Sequence, residues 1–171
     1  ANRALEILGY QRGDYDRLHP LEHVNRSQST NDVYPTAIKV ALQVQIRKLH
    51  ATLLAVAEAF GHKATEFTSV LKMGRTQLQD AVPMTLGQEF STYAVMVAED
   101  ADRLLEAALL VSEINLGGTA IGTGLNAHPR YAALACRNLA AISGFSLSTA
   151  GKLVEATEDV GAFVQLSGVL K

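Results

Sequence analysis

The chain has 171 residues, enough for one sizeable domain with its own core but not for two complete ones. Lys and Arg number 15 against 17 Asp and Glu, and the resulting net charge of -2 excludes a global field that would draw the chain to nucleic acid or to an anionic membrane surface. Hydrophobic residues make up 48% and charged ones only 19%, so helix faces are expected to be covered by other subunits.

Residues 1 to about 34 begin with a short helical patch at Leu5, Ile7 and Leu8. Gly9, Gly13, His19-Pro20 and the polar stretch from Asn25 to Asp32 then predict irregular chain. The N-terminal Ala1 to Glu6 has neither an initiator Met nor the apolar region of a signal peptide, and it reads as an internal cut. After Pro35, the residues Ile38, Ala41, Leu42, Ile46, Leu49, Leu53, Leu54, Ala57 and Phe60 recur at steps of three and four. This spacing predicts a long amphipathic helix, which Gly61 interrupts without ending and which continues through Phe67 and Val70 toward Gly74.

A loop is expected from Gly74 to about Met84. Thr85 and Gln88 then have the spacing of a capping box opening a second long helix that runs to Asn115. Gly117-Gly118 suits a helix stop, and the small-residue segment to Leu125 reads as a loop. Asn126 and Pro129 introduce a third helix to about Ser143, with Gly144 beyond it. A further helical pattern from Leu153 to Lys171 has no stop signal, so the C-terminus also reads as a cut. No alternating run predicts a strand and no repeat is visible. The fold class expected is therefore all-α, a bundle of long helices.

The single Cys136 excludes an internal disulfide framework, fits a reducing cytoplasm and reads as a small core residue. No apolar run approaches the roughly 20 residues needed to span a bilayer. His50, His62 and His128 form no ligand spacing with a third group, so no metal is assigned, and no aromatic-basic stripe suggests nucleic acid.

Three segments could carry chemistry. Ser27-Gln28-Ser29-Thr30-Asn31-Asp32 offers hydroxyls, an amide and free N–H groups before the long helix, a setting that can hold a carboxylate, although on composition alone plain helix capping is the simpler account. Gly74-Arg75-Thr76-Gln77-Leu78-Gln79-Asp80 adds a fixed positive charge, and a connector in which Arg75 and Asp80 merely pair accounts for it equally. In Gly117 to Asn126, glycines permit close backbone approach and Thr119 and Thr123 offer hydroxyls, but a helix-to-helix linker is the simpler account.

Taken in order, Ser29-Thr30-Asn31-Asp32-Val33-Tyr34-Pro35-Thr36, Gly74 to Phe90 and Gly118-Thr119-Ala120-Ile121-Gly122-Thr123-Gly124-Leu125-Asn126 resemble the aspartase/fumarase superfamily over nearly the whole chain. His23 before Val24-Asn25, Thr30, Gln77 and the run Leu153 to Thr157 are more similar to its aspartases than to its fumarases. The resemblance implies deamination of L-aspartate to fumarate and ammonia, through a doubly charged aci-carboxylate that neutral and cationic donors must stabilise. It implies substrate contacts from Ser29, Thr30, Asn31 and Thr76, with Gln77 beside them as an amide incapable of acid-base work. The fumarate hydratase of the same superfamily is the sibling reading, and a helical oligomerisation fragment without activity is the third.

In the superfamily the general base is a serine on a glycine- and serine-containing loop that also brings a Lys and an Asn. This chain has no equivalent, so no catalytic residue is assigned and the chain alone is expected to be nearly inactive. An upstream Gly-Thr-Ser contact is absent as well. His19-Pro20-Leu21-Glu22 departs from the usual Asn-Asp after His-Pro, which puts an accessory anion site in doubt. The resemblance further implies a homotetramer with sites built from three subunits; a cytoplasmic location is expected, and no metal or other cofactor is assigned. Residues 1–34 would close an N-terminal domain and carry an active-site loop, and residues 35–171 would form part of the central helical bundle.

Overall fold

The computed structural model describes residues 1–171, in the order α1 (Asn2–Ile7), a π-helical turn (Pro20–Val24), α2 (Thr30–Glu66), β1 (Leu71–Thr76), β2 (Gln79–Thr85), α3 (Leu86–Leu110), β3 (Glu113–Ile114), α4 (Tyr131–Ser143), β4 (Ser148–Thr149), α5 (Leu153–Glu158) and α6 (Gly161–Val169). Long helices dominate, as the all-α expectation required. No helix is long and apolar enough to cross a membrane. The chain divides into two compact units, one of residues 1–41 with 111–160, the other of residues 42–110 with 161–171.

In the first unit Leu5, Val111, Ile114, Cys136, Phe145 and Ala150 are buried. The second long helix was expected to reach Asn115, but it stops at Leu110. Beyond Leu110 the chain turns out to pair Glu113 and Ile114 in parallel with Ser148 and Thr149, a partner the local sequence cannot reveal. The amide of Ser148 donates to the Ser112 carbonyl at 3.1 Å, and that of Ala150 to Ile114 at 2.9 Å. The helix α4 ends as its sequence predicts. Gly144 takes the left-handed conformation at φ 70° and returns its N–H to the Ala140 carbonyl at 2.9 Å.

In the second unit Ile46, Ala101, Leu104, Ala107, Ala108 and Leu166 are buried, and α6 packs on α3. The predicted capping box at the start of α3 is present in both directions. Thr85 N–H donates to Gln88 Oε1 at 2.9 Å and Gln88 N–H to Thr85 Oγ1 at 3.1 Å. Phe60, Phe67, Phe90 and Tyr93 cluster with centroids 5.3 to 5.9 Å apart, three of the four pairs edge to face and Phe60–Tyr93 tilted. Where a loop was expected between the long helices, β1 and β2 form an antiparallel hairpin with a register shift between Met73 and Arg75. Lys72 Nζ on β1 reaches Glu89 Oε1 on α3 at 2.6 Å, half-buried, and ties the hairpin to the helix.

Candidate functional site

The start of α2 was expected near Pro35, but the helix begins five residues earlier, at Thr30, and contains that proline. Ser29 and Asp32 make this early start stable. Ser29 Oγ accepts from Asn31 N–H at 3.2 Å, and Asp32 Oδ1 accepts from Ser29 N–H at 2.8 Å. The arrangement resembles the box of Thr85 and Gln88, except that the Ser29 hydroxyl receives the N–H of Asn31 where a reciprocal box would use that of Asp32. Thr30 and Asn31 are exposed and Ser29 is half-buried, so all three expected donors stand together at the positive end of a 37-residue helix.

Proline at position 35 has no N–H, so the carbonyl of Asn31, four residues back, loses its helical partner. The amide of Asn115 takes that place, with Nδ2 donating to Asn31 O at 3.0 Å and to Thr157 Oγ1 at 3.2 Å. Asn115 is fully buried and its Oδ1 has no partner. The segment that follows adds three further ties. Gly117 and Thr119 each donate a backbone N–H to Asp32 Oδ2 at 3.0 Å, and Asn31 Nδ2 donates to Ala120 O at 2.6 Å. Asp32 is 0% exposed, and its charge is balanced by three backbone N–H groups in place of a cation.

Glycine also lets this segment pack closely against the start of α5. A Cβ on Gly122 would lie 2.3 Å from Val154 Cα and 2.4 Å from the Leu153 carbonyl, and Gly122 has φ 86°. The glycine-rich segment is therefore neither a bare linker nor a donor of exposed hydroxyls from Thr119, which is buried. It is a brace against the start of α2. Beside it, burial pushes the Tyr131 phenol up and the charge of Asp32 adds to that, while a hydrogen bond with Gln28 opposes it. Burial likewise holds the Lys39 ammonium below the usual lysine range, against the pull of Glu113, Asp159 and Glu155. Its Nζ donates to the Glu113 carbonyl at 2.7 Å.

A cleft of about 320 Å³ opens beside the donors, lined by Asn25, Gln28, Ser29, Thr30, Val33 and Tyr34. A larger one of about 770 Å³ is lined by Gly122, Lys152, Glu155, Glu158 and Asp159 among others. Three carboxylates against one ammonium make the larger cleft a poor host for a dicarboxylate, so the smaller is the better candidate despite its size. Gln28 and Asp32 belong to the donor-rich run read from the sequence but carry no individual role there, and Asn25 and Asn115 carry none either. For Asp32 the serine three residues earlier was the available signal.

Thr76 and Gln77 lie in the second unit, at the hairpin tip, and both are exposed. Gln77 at φ 47° and Leu78 at φ 64° occupy the left-handed region, each without the glycine or asparagine that normally relieves it. A Cβ in that region costs about 1–2 kcal/mol per residue, and such strain concentrates at functional positions. Arg75 and Asp80 do pair, Nε to Oδ1 at 3.0 Å, but both are exposed and the pair contributes about 1 kcal/mol at most.

The model of the lyase family matches the chain over residues 1–171. An aspartate ammonia-lyase of Helicobacter pylori is 56% identical over 171 residues, one of Pseudomonas canavaninivorans 58% over 172, and one of Escherichia coli 49% over 171. In each case all of this chain is covered and 36% of the relative, so the chain spans about a third of the length of the curated relatives it matches. Among solved structures, a Brucella melitensis fumarate lyase:delta crystallin bound to cobalt is similar over 99% of this chain and 37% of its own, with TM-score 0.87 and 56% identity. A class II fumarase of Schistosoma mansoni is similar over 88% of this chain and 35% of its own, with TM-score 0.80 and 31% identity.

Proposed function

Since the chain belongs to the lyase family, we propose that the whole protein deaminates L-aspartate to fumarate and ammonia, with residues 1–171 supplying part of its site. The observation that carries this reading is the braced, donor-rich start of α2. Ser29 Oγ already accepts from Asn31 N–H, which leaves its hydroxyl hydrogen to be donated outward. Asn31 gives one amide hydrogen to Ala120 and keeps the second. Together with the exposed Thr30 hydroxyl, these groups can receive a single carboxylate at a helix N-terminus.

In this reading the proton beside the β-carboxylate is removed first. The two electrons of the broken C–H bond pass into that carboxylate, which becomes the doubly charged aci form. Donors fixed in advance bind this form more strongly than the singly charged substrate, and the difference lowers the barrier. Collapse of the aci-carboxylate restores the carboxylate, forms the carbon-carbon double bond and expels ammonia. Thr76 and Gln77 are assigned to substrate binding as well, and no residue of this chain is assigned as the base.

The preference for ammonia over water as the leaving group rests on identity. Relatives named aspartate ammonia-lyase are 49–58% identical over the whole chain, whereas the class II fumarase is 31% identical over 88% of it. Exposed apolar side chains such as Val95, Met96, Leu109 and Ile142 support assembly into a homotetramer, proposed here as cytoplasmic, with residues 35–171 in its central helical bundle. The test is the absorbance of fumarate formed by the whole protein. Product from L-aspartate is expected, and product from malate alone would replace this reading with fumarate hydratase.

A further inference from the structure

We propose that Asp32, which is too deeply buried to touch substrate, is the positioning residue that aligns Ser29, Thr30 and Asn31 for the reaction. The inference rests on the function proposed above. Its first support is stoichiometric. Two carboxylate oxygens accept three N–H groups, from Ser29 at 2.8 Å and from Gly117 and Thr119 at 3.0 Å, so one side chain fixes the residue opening the donor run and, through two other bonds, the segment behind it. A second support is that the same segment grips the donors independently of Asp32, through Asn115 Nδ2 on the Asn31 carbonyl and Ala120 O on the Asn31 amide. Asn31 is thus held at its main chain and its side chain, and Asp32 sets the distance between the two partners.

An asparagine at position 32 has nearly the same shape but only one accepting oxygen, and its NH₂ would point at an N–H donor. The bonds to Ser29 and to the glycine-rich segment cannot then all persist. The donors would shift by a fraction of an ångström to about 1 Å, a displacement that costs up to about a hundredfold in rate. The loss falls on kcat more than on KM, because the donors bind the aci-carboxylate more strongly than the substrate.

The experiment uses the whole protein, wild type and Asp32→Asn, with Asp32→Glu as a second variant that keeps two accepting oxygens but moves them by one methylene. Each is measured on whichever substrate the wild type turns over, L-aspartate or malate, so a wrong choice of substrate is seen in the wild type and not mistaken for failure of the inference. The folded fraction is read by circular dichroism and gel filtration. The expected result is folded protein with kcat reduced about tenfold to a hundredfold and KM changed less than about threefold. Folded Asp32→Asn protein with kcat within twofold of wild type would overturn the proposal. If Asp32→Asn does not fold, Asp32→Glu decides by the same criterion, and if neither folds the carboxylate serves the fold alone and the proposal falls.

Discussion

Gly122→Ala tests whether the seat of the glycine-rich segment on the start of α5 depends on close packing or only on backbone conformation. Two costs apply at this position. A Cβ at φ 86° enters the left-handed region, worth about 1–2 kcal/mol, and it would also sit 2.3 Å from Val154 Cα and 2.4 Å from the Leu153 carbonyl. Both neighbours are backbone, which cannot swing aside as a side chain can, so an overpacking cost of about 1–3 kcal/mol is added. Gly144 isolates the first cost, because it has φ 70° and nothing within 4 Å of the point where an alanine methyl would stand. The entropy removed from the unfolded chain by each alanine is the same and cancels in the comparison. Gly122→Ala should therefore destabilise by about 1–3 kcal/mol more than Gly144→Ala. Urea unfolding of the whole protein, compared at equal slopes, measures the difference. A difference below about 0.5 kcal/mol would refute the packing argument.

Three further outcomes are expected. Thr85→Ala removes the hydroxyl that receives Gln88 N–H and should cost about 1 kcal/mol, seen as a lower melting temperature. Ser29→Ala and Thr76→Val should each lower kcat/KM by about a hundredfold in the whole protein if they bind the reacting carboxylate, measured by fumarate absorbance. Burial holds the Lys39 ammonium below its usual pKa of 10.5, so the unfolded chain binds more protons than the folded one between the lowered value and 10.5. Stability attributable to Lys39 therefore rises with pH across that window. Urea midpoints of the wild type should show this rise and those of Lys39→Met should lack it.

What could be read from the sequence was mostly local. The periodicity from Thr36 to Phe60 located α2, Thr85 and Gln88 marked the start of α3, and Gly144 the end of α4. The hairpin escaped because its strands are largely exposed on both faces, which erases alternation, and because its turn uses Gln77 and Leu78 where glycine or asparagine is the usual signal. The early end of α3 escaped because its cause is a strand pairing with Ser148 and Thr149. The donors at Ser29 to Asn31 were visible as a motif. Their anchors were not, since Asn115, Gly117 and Thr119 stand 84 to 87 residues from the groups they hold, and only the fold brings them there.

A proline in the second turn of a long helix ordinarily counts as a local defect, yet at position 35 it keeps one acceptor open for a distant amide. Replacing it with alanine would return an N–H to the ladder, and that N–H would compete with Asn115 for the same carbonyl. The helix would gain stability while its hold on the glycine-rich segment loosened. Pro35 is thus a place where a more regular helix and a firmer hold on Asn115 call for different residues.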